Sequence, residues 1–172
     1  MGVPVDLSLF DAEELLHLAI NLSAQQKFVE ALGCLKRANK LDPKNAAVIY
    51  FTAVIYAQIN LYERALATMQ HAVQMNPALD IAHFQIGLLF FTSGRVSEAI
   101  EAWRPLNRLG DEHPLYLFKA GLEALAREDF DACRNYLRQG IALNAENEPL
   151  NNDMRKILQR LGDSEYGDED DE

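Results

Sequence analysis

The sequence predicts an all-α fold made of stacked helical hairpins. Three observations support this prediction. Small and apolar residues recur with a 34-residue period, and within each repeat they follow the i, i+3, i+4, i+7 spacing of an amphipathic helix. Asp42-Pro43 and Asn76-Pro77 each end a helical pattern, and the two prolines are separated by the same period. A chain of 172 residues has room for one domain or for one solenoid of a few repeats.

Four units of this length follow one another without an insertion. Each is predicted to form two antiparallel helices, because small residues recur where two helix axes would approach each other. On the first helix these residues are Ala19, Ala53, Gly87 and Gly121, and on the second they are Ala31, Ala65, Ala99 and Cys133. The predicted units are 12–45, 46–79, 80–113 and 114–147.

A short N-terminal arm, residues 1–11, precedes the first unit. Its apolar residues are too many for a free terminus, and we expect them to pack on apolar surface of this or another copy. Their alternation suits an extended segment. They are Val3, Val5, Leu7, Leu9 and Phe10. Asp11 and Glu14 then predict a capping box at the start of the first helix.

The third unit departs from the pattern of the others. Pro105 falls inside its second helix and should kink or shorten that helix, because proline removes a backbone donor and clashes one turn back. Asp111 stands where the closing proline is expected. Pro114 suits the first turn of the next helix, where its missing N–H has no intrahelical partner.

The predicted end of the chain is one more helix and an acidic tail. Residues 148–161 place five apolar residues on one face, as expected of a helix that caps the last hairpin. They are Leu150, Met154, Ile157, Leu158 and Leu161. Residues 162–172 contain seven acids and no base, which predicts a disordered tail.

These features resemble the tetratricopeptide repeat family. The resemblance covers residues 12–147 and rests on the 34-residue period, the small residues named above, Pro43 and Pro77. It implies a right-handed superhelix whose first helices line a concave groove, and a function in binding other proteins. The size and the apolar groove are also similar to those of small tetratricopeptide chaperones of bacterial type III secretion.

A second apolar stripe runs beside the core stripe of the first helices, and it should face the groove. Because it recurs in successive units, we expect it to bind an apolar segment of a partner protein. Phe84 and Phe118 are expected to be its anchors and to have no role in the core. The alternative is that neighbouring repeats, the arm or a second copy cover the stripe, in an oligomer or assembly subunit. The stripe comprises Leu16, Ile20, Tyr50, Val54, Phe84, Leu88, Phe91, Phe118, Leu122 and Leu125.

Charge and hydropathy exclude several classes of partner. The net charge of −10 disfavours binding to nucleic acid or to anionic membranes. The longest apolar run, residues 46–57, is too short to span a bilayer, and no signal peptide is visible, so we expect a cytoplasmic protein. We interpret one basic cluster as a solvated outer face whose most interesting partner is the acidic tail. It comprises Lys27, Lys36, Arg37, Lys40 and Lys44.

No catalytic, metal-binding or cofactor-binding pattern is found, so we expect a protein that is not an enzyme and needs no cofactor. The four histidines lack the spacing of a zinc site, and no glycine-rich phosphate loop is present. Cys133 is interpreted as a packing residue, whereas Cys34 could be more exposed. Only Lys119 matches the residues with which chaperone-binding members of the family clamp a terminal carboxylate, so such a clamp is not expected.

Overall fold

The structure is a computed structural model that describes residues 6–162. The chain divides into two compact units, residues 1–89 and 90–172. The 34-residue repeats are called hairpins from here on, and "unit" refers only to these two parts. Nine α-helices and no β-strand occur in the described residues. The predicted disordered tail lies outside them except for Gly162.

The first unit contains two complete helical hairpins and the start of a third. Helix α1 (Ala12–Ala24) packs against α2 (Phe28–Leu41), and α3 (Ala46–Gln58) packs against α4 (Tyr62–Met75). Helix α2 also packs against α3, which joins the two hairpins. Helix α5 (Asp80–Thr92) begins in this unit and ends in the next. The core of the first hairpin and its neighbour is formed by Leu15, Ala19, Ala31, Cys34, Leu35, Ala38, Val48 and Ile55.

The second unit contains the end of α5 and four further helices. Helix α6 (Val96–Trp103) continues as a 3-10 helix (Arg104–Leu109), which packs against α7 (Pro114–Ala126). Helix α7 packs against α8 (Phe130–Leu143), and α8 packs against α9 (Glu148–Arg160). The largest side chains that are completely buried here are Trp103, Leu106, Leu117, Phe118, Leu122, Leu137 and Met154.

The all-α class, the helical hairpins and the additional C-terminal helix are confirmed. First helices begin at residues 12, 46, 80 and 114, and second helices begin at 28, 62, 96 and 130. Helix α9 begins at residue 148, which is the register of a further first helix. Arg155 occupies the position where Ala19 and its equivalents admit a close second helix, which fits the role of a cap.

The turn inside each hairpin has one conformation that also repeats with the 34-residue period. One residue has a positive φ, and the next residue donates its N–H to a carbonyl of the last helical turn, in a Schellman motif. In the first hairpin, Lys27 donates to Leu22 O at 2.9 Å, and in the fourth, Asp129 donates to Ala124 O at 2.9 Å. The positive-φ residues are Gln26 (61°), Asn60 (65°), Gly94 (78°) and Glu128 (61°).

Proline and capping residues act as predicted. Helix α6 has 8 residues, whereas α2, α4 and α8 have 14 each, because Pro105 converts the rest of that span to a 3-10 helix. Asp11 accepts from Glu14 N at 2.8 Å, while the Glu14 side chain accepts from Asp11 N, which completes the capping box. Pro114 occupies the first turn of α7.

The described part of the arm, residues 6–11, packs on the first unit through two of its apolar residues. Leu7 and Phe10 lie against the core cluster of α1, α2 and α3. Leu9 is 79 % exposed, so the expectation that it packs is wrong in this chain. The expected extended conformation is also wrong for Leu7–Leu9, which form a 3-10 helix. Asp6 closes this turn by accepting from Ser8 N and Ser8 Oγ, and the turn directs Leu9 into water. Val3 and Val5 lie outside the described residues.

Candidate functional site

In the first unit, three equivalent residues of the first helices keep part of their apolar surface in contact with water. Ile20 on α1, Val54 on α3 and Leu88 on α5 are partly exposed, and the 34-residue period relates them. Together with Leu16 and Tyr50 they are called the inner strip below. Residues 6–11 of the arm leave Ile20, Val54 and Leu88 partly exposed. The strip is therefore not completely covered by the described part of the arm.

Leu16, Tyr50 and Phe84 share the other repeating position of the stripe in this unit. Leu16 is partly exposed and packs against the core cluster, whereas Phe84 is completely buried. Tyr50 is 7 % exposed, and its ring lies edge-on to that of Phe51 at 5.2 Å between centroids. Burial raises the pKa of the Tyr50 phenol, so its hydroxyl stays protonated and able to donate a hydrogen bond.

In the second unit, two of the four stripe residues are in the core. Phe118 and Leu122 are completely buried, while Phe91 and Leu125 are partly exposed. The Phe91 ring lies 5.9 Å from that of Trp103, between centroids. A Cβ added at Gly140 would overlap the Phe118 ring, so this glycine provides the space in which the ring lies.

The expectation that Phe84 and Phe118 have no core role is therefore wrong. Both side chains have an exposed fraction of 0 %. For Phe118 the physical reason is Gly140 on α8, since a residue without a side chain lets an aromatic ring reach the helix backbone. The sequence signal was available, because Gly140 occupies the small-residue position of the fourth second helix.

A buried ion pair on α7 was missed by the sequence analysis, which considered Lys119 alone. Lys119 is 5 % exposed, and its Nζ lies 3.2 Å from Glu123 Oε1, one helical turn away. Its Nζ also lies 5.1 Å from the centroid of the Tyr116 ring. The i, i+4 spacing of a lysine and a glutamate was the signal that could have revealed the pair. The pair satisfies the charge of Lys119 within the fold.

The side chains that could act as nucleophiles or metal ligands are either buried or too far apart to form a site in the described residues. Both cysteines are free and buried, so the expectation of a more exposed Cys34 is wrong. Burial raises the pKa of the Cys133 thiol to about 11, and it also raises that of Cys34, which leaves both as unreactive thiols at neutral pH. Within residues 6–162, no group of three potential metal ligands is found. None of the helices in that range has the length and apolarity needed to cross a bilayer.

Comparison with known sequences recognises the part of the chain from the end of α1 to the middle of α5. Residues 22–85 match the tetratricopeptide repeat family. The small glutamine-rich tetratricopeptide repeat-containing protein 2 of Mycosarcoma maydis is 26 % identical over 101 residues, which are 59 % of this chain and 29 % of that protein. The match thus spans less than a third of the relative's length.

Solved structures share the fold over a larger part of the chain. A thermophilic tetratricopeptide repeat protein from Thermus thermophilus is 17 % identical with a TM-score of 0.71, over 90 % of this chain and 85 % of that one. MamA is 21 % identical with a TM-score of 0.60, over 77 % of each chain. A chain of the APC/C hetero-tetramer Cut9–Hcn1 is 16 % identical with a TM-score of 0.72, over 91 % of this chain and 31 % of its own.

Proposed function

Because residues 22–85 match the tetratricopeptide repeat family and a tetratricopeptide repeat structure shares the fold, we propose that the chain is a non-catalytic adaptor or chaperone that binds an apolar segment of a partner protein along its first helices. The fold belongs to a class of protein–protein interaction modules. The nature of the bound segment and the contact residues are the proposal. A cytoplasmic location remains the prediction made from the sequence.

The observation that carries this proposal is the repeated partial exposure of the inner strip. Ile20, Val54 and Leu88 are apolar, equivalent in register and partly open to water in three successive first helices. A repeat fold does not need apolar residues at positions that stay wet. Burial of such side chains by a partner is favourable, at about 25 cal/mol for each Å² of apolar surface removed from water.

The buried members of the stripe have a supporting role in this proposal. Phe84, Phe118 and Leu122 fix the helices that present the exposed residues, and they do not themselves contact the partner. Phe91 and Leu125 extend the same apolar character within the second unit.

The test compares two variants of the purified protein. A partner is first captured from the native host, identified by mass and purified. It is then titrated against the intact chain, against Ile20→Gln/Val54→Gln and against Val29→Gln. Val29 is the matched control because it is apolar and 86 % exposed on α2, away from the first helices. The strip variant should bind at least tenfold more weakly, and its melting temperature should stay within a few degrees of the intact chain.

Two results would count against the proposal. Equal binding by the strip variant and the Val29 variant would remove the strip from the interface. An intact chain that is dimeric, and that becomes monomeric in the Ile20→Gln/Val54→Gln variant, would favour the alternative in which a second copy fills the strip. Light scattering on the same samples measures this mass.

A further inference from the structure

A group of exposed cations lies on α2 and the turn that follows it, on the second helix of the first hairpin. Lys36, Arg37 and Lys40 occupy successive turns of one side of α2, and Lys44 follows three residues after the helix ends. These four residues are called the basic face. All four are exposed, and none has an ion pair or hydrogen bond with another described residue.

Most cations of the second unit are used within the fold. Each of six lies within ion-pair distance of a carboxylate that is three to seven residues away: Arg95, Arg104, Lys119, Arg134, Arg155 and Lys156. The basic face differs in having few acids nearby. Asp42 lies within it, Glu30 lies in the first turn of α2, and Asp6 is close enough for Arg37 to contribute slightly to its lowered pKa.

The fold does not require these charges. Helix α4 has the same length as α2, and the four equivalent positions of its hairpin contain no lysine or arginine. They are Gln70, His71, Gln74 and Ala78. The dipole of α2 favours a cation near the helix end, which accounts for Lys40 at most, since this effect fades within the last turn. Lys36, Arg37 and Lys44 are therefore available for contacts outside the fold.

We propose that the basic face is a docking site for a short acidic segment of a partner protein. Lys36 and Lys40 are one turn apart, about 6 Å along the helix axis. Two or three residues of an extended segment span that distance, so three to five acids in sequence match the face including Lys44. Charge complementarity identifies the occupant, because the face offers four positive charges that form no ion pair within residues 6–162, and no aromatic residue belongs to it.

A long polyanion fits this surface less well than a short acidic segment. The whole chain carries a net charge of −10, which repels nucleic acid and anionic membrane surfaces. Charges farther away than about 10 Å are screened at 0.1 M salt, so a few acidic residues placed on the face experience mainly its local positive charge. The site lies on a second helix and is independent of the inner strip.

The experiment uses the intact chain and a fluorescently labelled peptide of ten glutamates. The matched variant carries the residues of the second hairpin at the same positions: Lys36→Gln, Arg37→His, Lys40→Gln and Lys44→Ala. These residues already exist in an equivalent helix of this protein, so the variant should keep its circular dichroism and melting temperature. We expect the peptide to bind the intact chain at 50 mM salt and to bind the variant at least tenfold more weakly at pH 8.

Three outcomes would overturn the proposal. The first is equal binding of the peptide to the intact chain and the variant. The second is tighter binding of a ten-nucleotide single-stranded DNA than of the peptide, which would make the face a nucleic-acid site. The third is a tenfold gain in peptide affinity when residues 163–172 are removed, which would identify the acidic C-terminal segment of this protein as the occupant.

Discussion

The first and fourth hairpins have helices of the same lengths but differ in how deeply equivalent residues are buried. Each has a first helix of 13 residues and a second helix of 14, joined by the same Schellman turn. Leu16 and Ile20 of the first hairpin are partly exposed, whereas Phe118 and Leu122 of the fourth are completely buried. The register of a residue in the repeat therefore does not decide whether it belongs to a surface or to the core.

The difference originates on the second helix. Gly140 in α8 occupies the position that Ala38 occupies in α2, and the Phe118 ring lies against that glycine. Gly121 brings α7 close to α8 as well, since a Cβ there would lie 2.8 Å from Leu137 Cδ2. The missing side chain at Gly140 thus makes room for the Phe118 ring, and the missing side chain at Gly121 makes room for Leu137. In the fourth hairpin, the small residue on the second helix thus allows an inward position of the first helix to be filled by a core ring.

The largest effect is expected from Phe118. Phe118→Ala should lower the free energy of unfolding by about 3–5 kcal/mol, because it leaves a cavity where a completely buried ring packs against α8. The equivalent change in the first hairpin, Leu16→Ala, should cost about 1 kcal/mol, since that side chain is already partly solvated. Urea unfolding of both variants measures the difference. Similar losses for the two would refute the contrast between the hairpins.

A smaller effect of opposite sign is expected at two glycines. Gly140→Ala should destabilise the protein by about 1–3 kcal/mol, because the new methyl group overpacks against the Phe118 ring. Gly33→Ala on α2 should instead stabilise it by about 1 kcal/mol, since no atom lies within 4 Å of its added Cβ and alanine favours a helix. Thermal melts report both signs.

A double variant tests whether the destabilisation by Gly140→Ala results from its contact with the Phe118 ring. If the methyl group acts on the ring, Gly140→Ala combined with Phe118→Leu should cost less than the sum of the two single changes. Additive losses would mean that the alanine acts elsewhere, and the proposed origin of the buried ring would be incorrect.

The smallest effect is expected in the turns. Gln26 and Glu128 have positive φ values, which strain residues with a side chain by about 1–2 kcal/mol, whereas glycine adopts them freely. Gln26→Gly and Glu128→Gly should each stabilise the protein by about 0.5–1 kcal/mol, after the added entropy of the unfolded chain is included. Gly94→Ala should act in the opposite direction. Stabilisation by Gly94→Ala in thermal melts would show that this turn does not need its left-handed residue.

The sequence predicted the helices well because their causes are local. Caps, prolines and the 34-residue spacing act over a few residues, so Asp11, Pro105 and Pro114 could be interpreted without a structure. The exposure of the stripe depended on pairs of residues far apart in the chain, such as Phe118 and Gly140. Such pairs are visible only when both helices of a hairpin are considered together, which explains why Phe118 was expected at the surface.

The arm shows a second limit of sequence interpretation. Alternating apolar residues favoured an extended segment, but Asp6 and Ser8 form a side-chain turn that outweighs the alternation. Leu7 and Phe10 then reach the core from opposite ends of that turn, and Leu9 does not.

The uniform turn and cap positions make the hairpin an interchangeable cassette. Four of the five residues just before the first helices and α9, Asp11, Asn45, His113 and Asn147, cap the next helix through a side-chain acceptor, although they differ in type, and the fifth is Leu79. A segment that begins at one of these positions and ends just before the next contains one complete hairpin and the turn that connects it to its neighbour. The length of such a protein can therefore grow or shrink in steps of one repeat, and each copy can acquire its own surface chemistry without rebuilding these turns.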